Sequence, residues 1–399
     1  MQVRHGPALR VHAGPRALQQ LRDRGLQPQH VRVVPAAAGG PKGLVLLPLD
    51  RFLFADWLPR AAATSPPVHL LGASIGAWRM AAACAPDADS ALAQLAEDYI
   101  TQTYPHAPGR MPTAEAISAV FGRTLQDRLG SIAPQILAHP RLRLHVLTSR
   151  GRRLLHRPGP WAMPLGWAGA FAANALSRSA LGGWMERVVF SDPRDTLPFS
   201  LADYRSHVAP LRPDNLAAAV QASCAIPFAL QAVQDVPGGP AGTYWDGGIT
   251  DYHLHLNYAS MAEPAAPGDP GDPGDPGDAG NAGDAGISSK TRAGGLVLYP
   301  HFIDRVVPGW LDKAFKRRHR PSAFLDNLVL LSPDPDWVRR LPGGKLPDRG
   351  DFKAWGEDEA GRQRVWRRAL AESQRLADEF AALVNDVAAG RPVHALPLV

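Results

Sequence analysis

A serine between two glycines is the feature of this sequence with the clearest chemical potential. It stands in the pentapeptide Gly72-Ala73-Ser74-Ile75-Gly76, after the strand-like run 68–71 and before the small-residue run 77–85. A strand that turns sharply into a helix at such a serine presents the hydroxyl as an exposed nucleophile. In so tight a turn, a side chain at Gly72 or Gly76 would collide with neighbouring backbone. The pattern therefore predicts Ser74 as a nucleophile.

A glycine-rich segment earlier in the chain offers donors for the oxyanion that such a nucleophile creates. The segment Ala37-Ala38-Gly39-Gly40-Pro41-Lys42-Gly43 follows a strand-like run and precedes a helical one. Its glycines can take positive φ and present bare backbone N–H groups. A phosphate cradle or a plain turn would use the same composition. Nucleotide binding is disfavoured because Lys42 is followed by Gly43 and not by Ser or Thr.

The general base is harder to assign. None of the 14 histidines lies beside an obvious orienting carboxylate. His253 and His255 would share one face of a strand, but a zinc site there lacks a third ligand. Asp246 follows two aromatic residues and precedes Gly247 and Gly248, which would let another backbone approach it. This segment is either a base at the end of a strand or a simple Asp-Gly turn.

The elements that must position these residues alternate between strand and helix. A mostly helical segment runs from Leu44 to Leu58, with Pro48 at its start or at a kink. Strand candidates lie at 31–34, 68–71, 142–147 and 187–191. This βαβ order predicts an α/β fold with a mostly parallel central sheet flanked by helices.

Four segments in this order resemble the patatin-like phospholipase family. They are Gly39-Gly40-Pro41-Lys42-Gly43, Gly72-Ala73-Ser74-Ile75-Gly76, Ala222-Ser223-Cys224-Ala225-Ile226-Pro227 and Asp246-Gly247-Gly248. The resemblance covers about residues 31–259 and implies a three-layer α/β/α fold. It implies a hydrolase that cleaves carboxylic ester bonds of lipids, as a phospholipase A or lipid acyl hydrolase, without a cofactor or metal.

The same resemblance implies roles for individual residues. Ser74 would be the nucleophile and Asp246 the proton acceptor of a histidine-free dyad. The oxyanion hole would be formed by Gly39, Gly40 and Gly43. The remaining motif glycines are Gly72, Gly76, Gly247 and Gly248, and segment 222–227 would pack near the dyad.

Two departures from the family pattern keep other functions open. Ala38 stands where the loop commonly has its first glycine. Lys42 stands where the loop has arginine; lysine keeps the positive charge but lacks the planar fork that a bidentate contact would use. One alternative is a Ser-Asp-His esterase of the α/β-hydrolase type, since His253 follows Asp246 in the required order. The other is a lipid-binding or regulatory protein on this scaffold, with weak or lost catalysis.

Composition and motif content divide the chain into four segments. Residues 1–30 form an N-terminal extension, and residues 31–259 form the catalytic core. Residues 260–290 carry glycine at every third position from 268 to 286, which favours a disordered acidic loop. Residues 291–399 complete or cover the core, with a strand at 295–299 and a long amphipathic helix at about 357–388. The C-terminal extension is thus expected to be helical.

The overall composition is typical of a folded protein. Its 399 residues are 45% hydrophobic and 20% charged. Cys84 and Cys224 lack disulfide or metal spacing, and we expect two buried thiols. The net charge of +6 is too small for a dedicated nucleic-acid binder, whereas a phosphate-bearing substrate fits. The N-terminus lacks a secretory signal, so we expect a cytoplasmic protein.

Two stretches bear on peripheral membrane contact. Residues 161–184 are apolar and tryptophan-rich, but they are too short and too broken by Pro164 and glycines to span a bilayer. They predict either a buried helical hairpin or an apolar lip that touches lipid. The basic run at 313–320 predicts either a solvated face or contact with membrane phosphates. The expected partners are therefore a lipid or phospholipid substrate and, in the second interpretation, a membrane surface.

Overall fold

The computed structural model describes residues 6–107, 109–110, 112–157, 159–261, 295–388, 390 and 393–398. Strands within these residues form one sheet: β1 Leu9–Ala13, β2 Val31–Ala36, β3 Val68–Ala73, β4 Leu142–Gly151, β5 Met185–Ser191, β6 Ser206–Pro210, β7 Val233–Gln234, β8 Thr243–Trp245, β9 Leu296–Pro300, β10 Leu328–Pro333 and β11 Leu396–Pro397. The loop predicted at 260–290 lies outside the described residues, apart from Ser260 and Met261.

Parallel pairing dominates the centre of this sheet. The order is β11-β1-β10-β9-β2-β3-β4-β5-β6, and β7 and β8 join beside β4. Strands β10, β9, β2, β3 and β4 are mutually parallel, whereas β1 and β5 run antiparallel to their neighbours β10 and β4. Every residue of β3, β9 and β10 is buried, as expected for strands covered on both faces. The predicted mostly parallel α/β sheet is confirmed.

Helices flank the sheet, and four of those given below lie in the C-terminal segment. They are α1 Pro15–Arg24, α2 Leu47–Phe52, α3 Ile75–Ala83, α4 Ala88–Thr101, α5 Ala114–Leu125, α6 Ala133–Leu137, α7 Ala162–Leu176, α8 Arg178–Leu181, α9 Leu216–Ser223, α10 Gly248–Asp251, α11 Pro335–Arg340, α12 Gly350–Trp355, α13 Glu359–Glu372 and α14 Gln374–Ala388. Pro48 lies in the first turn of α2, where a missing N–H costs no hydrogen bond. Helix α14 packs against α2 and β1.

Two predicted elements differ from the structure. The single long helix expected at 357–388 is broken between α13 and α14 at Ser373, whose hydroxyl donates to the Leu370 carbonyl at 2.6 Å. Such a bond to the preceding turn competes with the helical ladder. The strand considered around His253 and His255 is instead a turn that follows α10, so these two side chains do not share a strand face.

The structure also bears on the two cysteines and on the length of the apolar helices. Cys84 and Cys224 are free and buried, as predicted, and burial raises the pKa of both thiols. No helix in the described part of the chain has the length and apolar character needed to cross a bilayer.

Candidate active site

Strands β3 and β8 approach one another end to end along β4. Strand β5 occupies one edge of β4, so β3 and β8 share the other edge. Ala73, the last residue of β3, pairs with Leu147, and Trp245, the last residue of β8, pairs with Ser149. Because β3 is parallel to β4 and β8 is antiparallel to it, the chain segments that follow the two strands meet beside a single residue of β4.

Ser74 and Asp246 are the residues that meet there. The Ser74 hydroxyl donates a hydrogen bond to Oδ2 of Asp246 at 2.6 Å, although the two residues are 172 positions apart in the chain. Both residues are buried, with 3% and 6% of their surface exposed. The two residues predicted from different motifs are therefore in direct contact.

The turn at Ser74 is tight and strained. Ser74 has φ 56° and ψ −129°, a positive φ that residues other than glycine rarely adopt. A Cβ atom at Gly76 would lie 2.0 Å from the Ala36 carbonyl oxygen, and one at Gly72 would lie 2.4 Å from Cα of Ala77. Both positions require glycine because backbone occupies the space that a side chain would need.

Asp246 is held by its own backbone neighbours as well as by Ser74. Its Oδ1 accepts the Gly248 N–H at 2.7 Å, and its N–H donates to the Ala225 carbonyl at 2.9 Å. Burial raises the pKa of this carboxyl above its ordinary value, and the hydrogen bond from Ser74 and the charge of Arg349 oppose that rise. A raised pKa makes the carboxylate a stronger proton acceptor than an exposed aspartate.

The segment 222–227 contributes more than the packing role expected of it. The hydroxyl of Ser223 accepts the Ser74 N–H at 2.9 Å and donates to the Leu147 carbonyl at 2.6 Å. The carbonyl of Ser223 accepts the Gly247 N–H at 3.0 Å. The segment thus contacts the backbone on both sides of the Ser74–Asp246 pair. Sequence reasoning missed Ser223, although its place inside a family motif was an available signal.

The glycine-rich segment 37–43, called the glycine loop below, lies beside this pair. Gly40 has φ +57° and lines the same cavity as Ser74, and it begins a 3₁₀ helix, Gly40–Leu46. A Cβ atom at Gly39 would lie 2.4 Å from the Phe302 ring, and one at Gly43 would lie 3.2 Å from Cγ1 of Ile75. The N–H groups of Gly39 and Gly40 precede the first N–H that donates within this helix, so they are available donors of the loop.

No histidine ring in the described residues forms a hydrogen bond with Ser74 or Asp246. His253, the candidate for a Ser-His-Asp relay, is buried and accepts the Val307 N–H through Nδ1 at 3.0 Å. Burial also holds its pKa well below the ordinary range. His255 contacts the Ser322 hydroxyl at 3.2 Å, away from the pair. No cluster of metal-ligating side chains occurs among the described residues either.

Two cavities open on either side of the Ser74–Asp246 pair. The apolar cavity, of about 70 Å³, is lined by Ser74 and by side chains that include Ile75, Trp78, Phe121 and Leu230. The polar cavity, of about 270 Å³, is lined by Asp246 and by cationic side chains, namely Lys42, Lys313 and Arg349. Arg349 and Ile226 border both cavities. A molecule with one apolar and one polar end would fit across the pair.

The apolar stretch at 161–184 is not the buried hairpin that one interpretation expected. Helix α7 buries Trp167 against Trp245, with ring centroids 5.6 Å apart, next to Asp246. Its opposite face is exposed at every third or fourth position and carries no charge. Trp161, Leu165, Phe171 and Leu176 on this face are 81%, 61%, 47% and 85% exposed. Among the described residues, Phe315 stacks on Phe171 at one side of this face, and the other three side chains are more than half exposed.

The sequence comparisons agree with the geometry. A family model described as patatin-like phospholipase matches residues 39–253, which is more than half of the chain. The match includes the glycine loop, the Ser74 turn, segment 222–227 and Asp246. No curated protein matches the chain.

Proposed function

This chain belongs to the patatin-like phospholipase family, a family of lipid acyl hydrolases, and we propose that it cleaves carboxylic ester bonds of lipids through a Ser74–Asp246 dyad. One observation carries the proposal. The hydroxyl of Ser74, held in a strained turn, donates to a buried carboxylate at 2.6 Å, and no histidine of the described residues takes part. A weak nucleophile beside a positioned base is the arrangement that acyl transfer requires.

The proposed reaction begins with attack on the ester carbonyl. Asp246 Oδ2 accepts the hydroxyl proton as Ser74 Oγ bonds to the carbonyl carbon. The negative charge that develops on the carbonyl oxygen is stabilised by the N–H groups of Gly39 and Gly40. The carbon–oxygen bond to the leaving alcohol then breaks, and protonated Asp246 returns its proton to that oxygen. The product is an acyl ester on Ser74.

Hydrolysis of the acyl-enzyme repeats these steps with water. Asp246 accepts a proton from the attacking water, and the same N–H groups stabilise the second tetrahedral intermediate. Its collapse releases the fatty acid and returns the proton to Ser74. Gly43 packs against Ile75, the residue after the nucleophile, and in this mechanism it keeps the loop close to the turn.

The two cavities support a lipid ester as substrate. The apolar cavity beside Ser74 suits the acyl chain, because its aliphatic and aromatic side chains gain from burying methylene groups. The polar cavity beside Asp246 suits the alcohol portion. A phospholipase A reaction and a broader lipid acyl hydrolase reaction both fit this division.

Hydrolysis of a short-chain chromogenic ester tests the dyad. We expect Ser74→Ala and Asp246→Asn each to lose at least a thousandfold in kcat, because each removes a partner of one proton transfer. A fluorophosphonate probe should label wild-type protein at Ser74 and leave Ser74→Ala unlabelled. Equal activity in the three proteins would contradict the dyad, and an unlabelled wild type would favour a lipid-binding protein without catalysis. Loss of activity in His253→Gln with an unchanged fold would favour a Ser-Asp-His relay.

Peripheral contact with an anionic membrane belongs to the same proposal. The basic run at 313–320 lies along the exposed face of α7. Two contacts hold it there: Phe171 stacks on Phe315 with ring centroids 6.1 Å apart, and Arg318 donates to the Ala175 carbonyl at 3.3 Å. Lys316, Arg317 and Arg320 are further cations of this run. An apolar face with a cationic edge binds at the level of lipid headgroups.

Vesicle sedimentation tests the membrane contact. We expect Leu165→Ser/Leu176→Ser to bind vesicles of mixed phosphatidylglycerol and phosphatidylcholine roughly tenfold more weakly than wild type, since apolar burial is lost. Val208→Ser removes an exposed apolar side chain outside this face and serves as the control. Equal binding of all three proteins would contradict the contact.

A further inference from the structure

Three cations from separate segments line the polar cavity. Lys42 comes from the glycine loop, whereas Lys313 and Arg349 come from the C-terminal part of the chain, outside the residues that match the family. Lys313 Nζ lies 4.0 Å from the centroid of the Tyr252 ring, which fixes the ammonium group over the cavity wall. Folding therefore brings together positive charges that share no motif.

These cations lack carboxylate partners of their own. Within the described residues, none of the three forms an ion pair. The two carboxylates of the cavity are engaged elsewhere: Asp348 accepts from Lys345 at 2.8 Å and from the Gly350 N–H at 2.7 Å, and Asp246 accepts from Ser74 and Gly248. The cavity thus presents unpaired positive charge next to the dyad.

The charges also act on one another. Burial lowers the pKa of Lys313 to about 8, and repulsion from Lys42 and Arg349 adds to this effect. Burial likewise lowers the pKa of Lys42; the charge of Asp348 opposes this shift, and repulsion from Lys345 and Arg349 adds to it. Like charges held together at a cavity wall are relieved when an anion binds between them.

We propose that Lys313 and Arg349, with Lys42, bind a phosphate group of the ester substrate beside the Ser74–Asp246 dyad. This inference rests on the proposed ester hydrolysis and adds a head-group class to it. Phosphate suits the site better than carboxylate, because it offers oxygens to three donors at once and carries up to two negative charges. The guanidinium of Arg349 adds a planar fork that matches two phosphate oxygens.

The position of Arg349 links phosphate binding to ester placement. Arg349 borders the apolar cavity of Ser74 as well as the polar cavity, and its Nε would lie 3.2 Å from a Cβ atom at Gly40. A phosphate held there lies on the alcohol side of the scissile bond while the acyl chain enters the apolar cavity. The site thus selects acyl esters of phosphorylated alcohols over uncharged acylglycerols.

Monomeric esters with matched acyl chains test this selectivity without a membrane. We expect Lys313→Gln/Arg349→Gln to lower kcat/KM for dibutanoylphosphatidate by roughly a hundredfold, about tenfold for each charge-assisted contact. Both cations also lower the pKa of Asp246, so hydrolysis of dibutanoylglycerol should fall as well, but the ratio of kcat/KM for dibutanoylphosphatidate to that for dibutanoylglycerol should fall at least tenfold. Lys353→Gln and Arg340→Gln remove exposed cations that line neither cavity, and they should behave as wild type. Equal losses on both esters, or no loss on either, would overturn the proposal.

Inorganic phosphate distinguishes a head-group site from an effector site. We expect phosphate to inhibit dibutanoylphosphatidate hydrolysis competitively in wild type and much less in the double variant. A phosphate-dependent rate on dibutanoylglycerol, without any preference for dibutanoylphosphatidate, would make the cavity an effector site and overturn the substrate assignment.

Calorimetry with glycerol 3-phosphate separates this inference from the proposed hydrolysis. Ser74→Ala protein should bind the ligand, and adding Lys313→Gln/Arg349→Gln should weaken binding by at least tenfold. If wild type cleaves no ester but this difference is found, the hydrolysis fails and the phosphate site stands. If esters are cleaved and glycerol 3-phosphate binds equally to both proteins, the phosphate site alone fails.

Discussion

The Ser223 hydroxyl accepts a hydrogen bond from the backbone N–H of Ser74 at 2.9 Å and donates one to the Leu147 carbonyl at 2.6 Å. Ser74 adopts a positive φ that costs roughly 1–3 kcal/mol for a residue other than glycine. The Ser223 bond fixes the backbone of the strained residue to β4. The proposed nucleophile is therefore oriented by a side chain that lies 149 positions later in the chain.

Ser223→Ala should separate orientation from folding. We expect kcat to fall roughly tenfold with little change in KM, and the free energy of unfolding to fall by about 1–3 kcal/mol, because the Ser74 N–H loses a buried acceptor. Steady-state kinetics and denaturant unfolding measure the two effects. Ser373→Ala removes a buried hydroxyl between α13 and α14 and should lower stability alone. A Ser223→Ala enzyme with unchanged kcat would contradict the positioning role.

The activity of the dyad should decline in acid at a pH above the ordinary aspartate value of 3.8. Burial raises the pKa of Asp246, and only the ionised carboxylate can accept the Ser74 proton. The rate should therefore fall as pH falls through the raised pKa, which a pH profile of kcat/KM on an uncharged ester measures. An acid limb at or below pH 3.8 would exclude Asp246 as the titrating base.

The same shift predicts how Asp246→Asn affects stability. The folded state holds the Asp246 proton more tightly than the unfolded state, so ionisation opposes folding as pH rises through the raised pKa. The cost is fully present at pH values well above the raised pKa. Asp246→Asn should thus be inactive and yet melt at the same temperature as wild type or higher. A large drop in Tm at neutral pH would show that the carboxylate stabilises the fold.

Phe121 should limit the length of the acyl chain that the apolar cavity accepts. It closes the apolar cavity against Trp78, with ring centroids 5.5 Å apart. Phe121→Ala opens space there, so we expect the rate on octanoyl esters relative to butanoyl esters to rise severalfold. Its unfolding free energy should fall by about 2 kcal/mol or more. Phe324→Ala, a partly buried phenylalanine outside this cavity, should leave the ratio unchanged.

The preference for the phosphate-bearing ester should weaken at alkaline pH because Lys313 loses its positive charge. The Lys313 ammonium has a pKa of about 8, and it faces Lys42, Arg349, Asp246 and the Tyr252 ring. As pH rises from 7 to 9 the ammonium loses its proton, so the ratio of kcat/KM for dibutanoylphosphatidate to that for dibutanoylglycerol should fall. Lys313→Arg keeps its charge over this range and should hold the ratio constant. A parallel fall in both proteins would assign the effect to another group.

The local elements of the site were predictable, and its contacts were not. The turn at Ser74 shows in the sequence because glycines, an apolar strand and a small-residue helix are adjacent. Asp246 reaches it only through antiparallel pairing of β8 with β4, a contact between distant segments that periodicity does not encode. Motif spacing alone is compatible both with Asp246 as a general base and with Asp246 in a simple turn; only the family resemblance favours the base.

The cations of the polar cavity were hidden for a related reason. In the sequence, Lys313 is one member of a basic run, and such runs usually face solvent. Arg349 stands among ordinary surface residues and belongs to no motif. Their convergence with Lys42 depends on how the C-terminal segment folds back over the glycine loop. The exposed face of α7 was likewise ambiguous, because an apolar helix is equally compatible with burial.

Strands β9 and β10 lie between β1 and β2 in the sheet. Strand β9 pairs with β2, the strand that precedes the glycine loop. During synthesis, every motif of the dyad leaves the ribosome before these two strands do. Until Pro300 has emerged, β2 has an unpaired edge, and Arg349 is still to follow. The proposed site therefore lacks the strand beside its glycine loop, and the Arg349 cation, until the C-terminal part of the chain has been synthesised.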